Sequence, residues 1–125
     1  MVWLGWHVVA PGTRVYAICL AGQPVGTLKL EGLGPGGWAN LALMIGEARV
    51  RGSGVGARAI ILAVKLAEQA KCRGVWAGMR EKNLPSRHAF LRAGFSAYGP
   101  TPPPIVEAIR SWPSRPTRLA VWYSL

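Results

Sequence analysis

Aspartate is absent from this 125-residue sequence, and 5 glutamates stand against 15 lysines and arginines, for a formal net charge of +10. A polycationic ligand needs a cleft lined by carboxylates, so the shortage argues for neutral or anionic ligands instead. The same balance suits a polyanionic partner, whether nucleic acid or a phosphorylated cofactor, or serves solubility alone, since charge by itself fixes no function. No block of consecutive basic residues occurs. Arg49, Arg51, Arg58, Arg87 and Arg92 are scattered, which fits a localised phosphate site better than a nucleic-acid tail. Cysteine is scarce as well: Cys19 and Cys72 are the only two and lie far apart, giving neither a metal-ligand spacing nor a disulfide framework. Two buried, reduced thiols and no metal are expected. Hydrophobic residues make up 50% of the chain, yet no uninterrupted apolar run approaches the ~20 residues of a membrane-spanning helix. The first ten residues are apolar but hold no Lys or Arg, and Pro11-Gly12 after them is not a small-residue cleavage site, so no secretory signal is read. The expectation is a soluble, cytoplasmic protein without a membrane partner.

What is present suits one compact domain over residues 1–125, large enough to bury roughly two thirds of the surface of its unfolded form. Trp3 to Ala10 reads as a strand, Pro11-Gly12 as a turn, and Val15 to Leu20 as a second strand of β-branched and aromatic residues. A turn over Ala21 to Pro24 leads to a third strand, Val25 to Leu30. The glycine-rich run Gly32 to Gly37 leads to a fourth, Leu41 to Ile45. From Ala57 to Lys71 the period becomes helical: Arg58, Lys65, Glu68 and Gln69 share a polar stripe, and Ile60, Ile61, Val64, Leu66 and Ala67 fill a wide apolar face. Val75 to Met79 reads as a strand. Pro85 to Ala93 reads as a helix with Pro in its first turn and Gly94 as its stop. Phe95 to Tyr98 resumes the sheet, Ile105 to Trp112 is a short helix between proline clusters, and Leu119 to Leu125 is the last strand. Strands followed by alternating helices and strands predict an α+β fold, a mixed and mostly antiparallel sheet with helices packed on it.

Gly52, Gly54 and Gly56 alternate just before the first helix, so backbone N–H groups can converge on an anion at the helix N-terminus without Cβ obstruction, as a pyrophosphate requires. A plain surface turn would use the same residues. Gly52, Gly54 and Ala57 also satisfy the dinucleotide fingerprint G-x-G-x-x-A, but that fingerprint needs its first glycine directly off a buried parallel strand. Here Glu47 to Arg51 intervene after an antiparallel meander. A P-loop is excluded because no Lys-Ser or Lys-Thr follows.

Two boxes together resemble the Gcn5-related N-acetyltransferase (GNAT) superfamily over roughly Val15 to Tyr98. The first is Arg51-Gly52-Ser53-Gly54-Val55-Gly56, similar to the family's Q/R-x-x-G-x-G/A pyrophosphate loop, after a strand ending Met44-Ile45-Gly46. The second is Asn83-Leu84-Pro85-Ser86, then Phe90, then Gly94-Phe95, similar to the family's N-x-x-S/A…Y/F…G-F segment. Within the superfamily the chain looks closest to the ribosomal-protein N-terminal acetyltransferase-like branch. The resemblance implies acetyl-CoA as acyl donor and an amine as acceptor, with no metal. Backbone groups of Gly52 to Ala57 would hold the pyrophosphate, assisted by Arg51, with Arg58 and Arg87 as further candidates. Met44, Ile45 and Gly46 would pair with the pantetheine arm, and Asn83 would fix that arm from the other side. Asn83 is equally suited to cap the helix that follows.

Departures from the family pattern shape the expected chemistry. The tyrosine that protonates the leaving thiolate in many relatives is matched by Phe90, which has no exchangeable proton. Ser86 is the candidate in its place, or only a first-turn residue bonding backbone. A base glutamate found in some relatives is matched by Gly78, leaving Glu47 and Glu81 as candidates that would equally serve as solvated surface charges. Relatives insert two helices between their first two strands, where this chain has only Pro11-Gly12-Thr13. The acceptor cleft is then open, or walled by a second subunit in a homodimer, or built for a large acceptor. The tryptophans of the end segments, Trp3, Trp6 and Trp122, are expected in the core, and His7 and His88 in structural or surface roles. The readings that compete with an N-acyltransferase are a CoA-binding module without catalysis and a basic, nucleic-acid-directed protein of related fold.

Overall fold

A computed structural model of the chain describes residues 2–46, 53–80, 82–97, 99–111 and 118–125, with the backbone alone described at Trp3, Trp6 to Val9, Arg118 and Leu119. Four strands open the fold: β1 (Val2–Ala10), β2 (Thr13–Leu20), β3 (Gln23–Glu31) and β4 (Trp38–Ile45). Their turns follow the local chemistry. Ala21 and Gly22 both have positive φ, 51° and 77°, between paired residues Leu20 and Gln23, as a two-residue hairpin matched to strand twist requires. β1 turns directly into β2 at Pro11-Gly12, with no helix between them, as the sequence suggested. The glycine run before β4 is tied into the fold, Leu33 N–H donating to the Gly12 carbonyl (3.0 Å) and Gly36 N–H to that of Lys71 (2.9 Å).

The remaining elements are α1 (Val55–Gln69), β5 (Gly74–Arg80), α2 (Leu84–Arg92), α3 (Pro103–Arg110) and β6 (Arg118–Ser124). The six strands form one sheet in chain order, antiparallel throughout except for the parallel β4–β5 pair. This is the mixed, mostly antiparallel α+β sheet expected. Cross-strand register puts Tyr16, Leu28 and Leu43 in one row and Leu30 and Leu41 in another. On that face they join Val75, Ala77, Met79 and Val121 beneath α1 and α2. Ala59, Ala63 and Ala67 are all fully buried, and their small side chains let α1 lie close to the sheet. On the opposite face Trp76 and Trp122, with Trp38 beside them, are covered by Ile105, Ala108 and Ile109 of α3. Trp122 is therefore a core residue, as expected. No helix among the described residues is long and apolar enough to cross a membrane.

Three expectations need correction. Phe95 to Tyr98 is not a strand among the described residues: Ser96 alone bridges Trp122, with N–H to carbonyl distances of 2.8 and 3.0 Å. Phe95 instead enters the core, where it meets Phe90 edge to face. Ile61, assigned to the apolar face of α1, is 42% exposed, because its position lies just past the stripe that meets the sheet. α1 also begins at Val55, two residues before the expected start, because left-handed Gly54 (φ 88°) caps it.

Gly74 starts β5 where a Cβ would overlap both the Trp38 ring and the Tyr123 carbonyl oxygen. Gly74→Ala should lower stability by about 1–3 kcal/mol or more, against about 1 kcal/mol for Gly22→Ala, where space is open and only the positive φ resists. Urea denaturation midpoints of the two variants check this; equal losses would show that the contact at Gly74 is not the constraint.

Candidate active site

β4 and β5 pair at only three positions, Trp38↔Gly74, Ala39↔Val75 and Asn40↔Trp76. β3 holds β4 as far as Ile45, and β6 holds β5 as far as Arg80. The sheet therefore forks. On the face that carries α1 and α2 the fork opens into a cleft of about 760 Å³. Leu43 and Ile45 of β4 form one wall. Gly54, Gly56 and Ala57 at the start of α1 form its end, and Asn83 to Ser86, His88, Ala89 and Arg92 form the other wall.

The end wall is electropositive for a simple reason. The first N–H groups of a helix have no helical partners, and here the first turn carries no acidic residue and Gly54 offers no side-chain cap. The positive end of the α1 dipole is left for a ligand. Gly56 is what keeps the cleft open: a Cβ there would already touch Ala89 Cβ at 3.5 Å and Leu43 Cδ2 at 3.7 Å, so anything longer would fill the throat. The long walls are mainly apolar. A phosphorylated ligand with a narrow, largely apolar arm fits these residues.

α2 begins at Asn83, whose Oδ1 accepts from the Ser86 N–H (3.4 Å) while its carbonyl accepts from the Arg87 N–H (3.1 Å). The capping role expected for Asn83 is thus present, and among the described residues its side-chain NH2 has no partner beside the cleft. Ser86, Ala89 and Arg92 follow at intervals of three, a spacing that keeps one helix face turned to the cleft. The Ser86 hydroxyl makes no hydrogen bond among the described residues. Phe90 lies off this face, buried, its ring 5.0 Å from Phe95, which in turn is 5.5 Å from Tyr123.

Of the residues singled out from the sequence, Ile45, Gly54, Gly56, Ala57, Asn83 and Ser86 all line this cleft. Val55 is buried beneath it and pins the helix start. Ser53 is exposed just ahead of Gly54. Met44 and Gly46 line a separate, shallower recess of about 410 Å³ with Pro24 to Thr27; alternation along β4 turns the Met44 side chain, 69% exposed, away from the helices. Arg51, Gly52, Glu47 and Glu81 lie outside the described residues. Leu43, Leu84, Pro85, His88 and Ala89 were not assigned to the site from the sequence, and Arg92 was named only among the arginines suited to a phosphate. For Ala89 and Arg92 the interval of three from Ser86 was a usable signal; for Leu43 the two-residue step from Ile45 was. Among the described residues no group of three or more His, Cys or Glu side chains could hold a metal.

Comparison with known proteins supports this geometry. A profile for the acetyltransferase (GNAT) domain matches residues 3–96. No curated protein matches the sequence significantly. A domain from Methanocaldococcus jannaschii has a similar structure at 16% identity and TM-score 0.71, over 94% of this chain and 70% of that one. The aminoglycoside acetyltransferase AAC(6')-Ib, solved with coenzyme A, is similar at 17% identity and TM-score 0.69, over 90% of this chain and 66% of that one. RimJ of Mycobacterium smegmatis, solved with CoA-disulfide, is similar at 21% identity and TM-score 0.70, over 90% of this chain and 53% of that one. The chain spans between about half and 70% of the length of these three proteins.

Asn83→Ala should remove the α2 cap at a cost of about 1 kcal/mol, whereas Asn83→Ser, which caps as well, should restore most of it. Thermal or urea denaturation separates the two; equal loss in both would mean that the Ser86 N–H bond contributes nothing.

Proposed function

Because the chain belongs to the acetyltransferase (GNAT) domain family, we propose that it is an acetyl-CoA-dependent N-acyltransferase moving an acetyl group directly to a primary amine. The observation that carries this reading is the fork between β4 and β5, with a helix N-terminus beside it that has no side-chain cap. The N–H groups of Gly54 to Ala57 would hold the pyrophosphate, with Gly52 and Arg51 ahead of them. The pantetheine arm would lie between Leu43–Ile45 and Leu84–Ala89, hydrogen-bonded to the β4 edge at Met44 to Gly46 and to the free amide donors of Asn83. The coenzyme A and acetyl-CoA complexes of structural neighbours support the choice of donor.

In the proposed step the amine nitrogen attacks the thioester carbonyl carbon, the C–N bond forms, the C–S bond breaks, the nitrogen loses one proton and the thiolate gains one. Phe90 cannot give that proton. The Ser86 hydroxyl lines the cleft without a competing bond and is the candidate donor. No carboxylate among the described residues lines the cleft, so the proton from the amine leaves through water, or through Glu47 or Glu81 if either reaches it. Holding amine against thioester can itself supply roughly 7–11 kcal/mol of the barrier. A backbone N–H at the end of β4 polarises the carbonyl. The shortage of carboxylates argues that the acceptor is not an aminoglycoside, although neighbours of similar fold were solved with ribostamycin or kanamycin bound.

Calorimetric titration with acetyl-CoA tests the reading. Micromolar binding is expected in the wild type, lost in Gly54→Glu, which places a carboxylate in the cradle, and retained in Gly54→Ala, which shares the strain at positive φ without the charge. Ser86→Ala should lower kcat by roughly 10²-fold with the KM for acetyl-CoA unmoved. A wild type that does not bind acetyl-CoA sinks the proposal. Binding without turnover across an amine panel would mark a CoA-binding module, the reading that the apolar Phe90 favours.

A further inference from the structure

The cleft wall formed by α2 carries two polar side chains that the transfer step does not use. Among the described lining residues Arg92 is the only one with a permanent charge and His88 the only one with an imidazole. Both are exposed, and neither is ion-paired among the described residues, whose glutamates are placed elsewhere: Glu31 pairs with Lys29 at 3.2 Å, Glu107 with Arg110 at 3.6 Å, and Glu68 lies on α1. His88 and Arg92 stand four residues apart, so they are neighbours on one helix face, with Cβ atoms about 5–6 Å from each other. Between them lies Ala89, where α2 meets the cradle: a Cβ on Gly56 would stand 3.5 Å from Ala89 Cβ. The imidazole and the guanidinium thus flank the start of α1. Arg58 and Arg87, the other arginines offered for phosphate contact among the described residues, do not line the cleft. A place in the last turn of α2 also lets Arg92 complement the dipole of its own helix, but that role asks for neither a cleft nor His88 beside it. The charge balance asks for both. The N-terminus of α1 supplies roughly half a unit of positive charge, whereas a phosphate monoester carries about −1.5 to −2 at neutral pH. A ligand with a monoester in addition to a pyrophosphate needs cationic donors beyond the cradle.

We propose that Arg92 and His88 bind the 3′-phosphate monoester on the ribose of coenzyme A, so that the protein selects CoA thioesters over their 3′-dephospho counterparts. This rests on the acyltransferase reading above. The ribose carries the pyrophosphate on its 5′ oxygen and the monoester on its 3′ oxygen, one sugar ring apart. A pyrophosphate seated on Gly54 to Ala57 therefore sets the monoester within about one helical turn, about 5.4 Å, of the cradle. Arg92 follows Ala89 by nearly that interval, and its long side chain covers the remainder. The guanidinium offers paired N–H donors to an oxyanion, and the imidazole adds a donor beside them. The monoester is remote from the thioester, so this contact is the same before and during transfer and contributes binding rather than rate.

Calorimetric titration with acetyl-CoA and with 3′-dephospho-acetyl-CoA decides the matter for wild type, Arg92→Gln, Arg92→Lys and His88→Ala. Lys65→Gln serves as the control, since it removes an equal charge from an exposed position of α1 that does not line the cleft. The wild type should bind acetyl-CoA about tenfold or more tightly than the dephospho form. Arg92→Gln should bring that ratio close to one by weakening acetyl-CoA alone, Arg92→Lys should keep part of it, His88→Ala should lower it, and Lys65→Gln should leave it unmoved. The ratio is taken within each variant, so a loss of folded protein cancels from it. In steady-state turnover Arg92→Gln should raise the KM for acetyl-CoA with kcat unchanged. A ratio near one in the wild type, a ratio unmoved in Arg92→Gln, or equal weakening of both donors overturns the proposal while leaving acetyl-CoA binding in place. Adenosine 3′,5′-bisphosphate titrated against adenosine 5′-phosphate separates the two readings. An Arg92-dependent preference for the bisphosphate, in a chain that does not bind acetyl-CoA, would sink the acyltransferase reading and keep the monoester site.

Discussion

The early end of the β4–β5 ladder is the constraint on which the rest of the site depends. Backbone N–H and C=O groups are obligatory hydrogen-bonding partners, and two strands that part after Asn40 and Trp76 expose their inner edges to whatever enters between them. Water can satisfy those edges, and so can an extended ligand that adds as a strand would. The outer edges are not free to close the gap, since β3 and β6 hold β4 and β5 to their ends. Parallel neighbours also need a long crossover. Here α1 is that crossover, and its first turn comes beside Leu43 within van der Waals reach of Gly56. One piece of topology thus delivers an open sheet edge and an unpaired helix N-terminus to the same place.

Much of this was legible because it is encoded locally. Strand alternation, the helical period of α1 and the glycine and proline punctuation each depend on residues within a turn or two of one another, and they place nearly every element within a few residues. Phe95 to Tyr98 failed as a strand for a reason the pattern does not contain: among the described residues β6 meets the segment only at Ser96, and Phe95 turns into the core against Phe90. The cradle glycines and Asn83 were legible because backbone geometry demands those residue types. Leu43, Leu84 and Pro85 were not, because an apolar residue on a cleft wall and one in a core look alike until the cleft is seen.

Charge shows the same division between count and place. The excess of cations is a property of the composition, but the opposition of Arg80 and Arg118 is a register fact linking residues far apart in sequence. Nothing near either arginine announces it. The same holds for Trp76 and Trp122, which α3 covers on the side where the fork is open. With the direct β1–β2 turn in place of helices, α3 is the helix that flanks the open face among the described residues.

Packing in α2 determines which of its residues can serve chemistry. Phe90, Phe95 and Tyr123 form a chain of ring contacts at 5.0 and 5.5 Å that fixes the helix against β6. Aromatic pairs of this kind are worth about 0.5–1.5 kcal/mol each beyond their buried area, enough to set the rotation of a nine-residue helix whose only fully buried side chain is Phe90. Once Phe90 points inward, the face at Ser86, Ala89 and Arg92 must point to the cleft, since helical geometry leaves no other choice. A hydroxyl in the first turn and a cation two turns on are then what the helix can offer. The burial of Phe90 and the place of Ser86 on the cleft wall thus follow from a single rotation of the helix, fixed by the core.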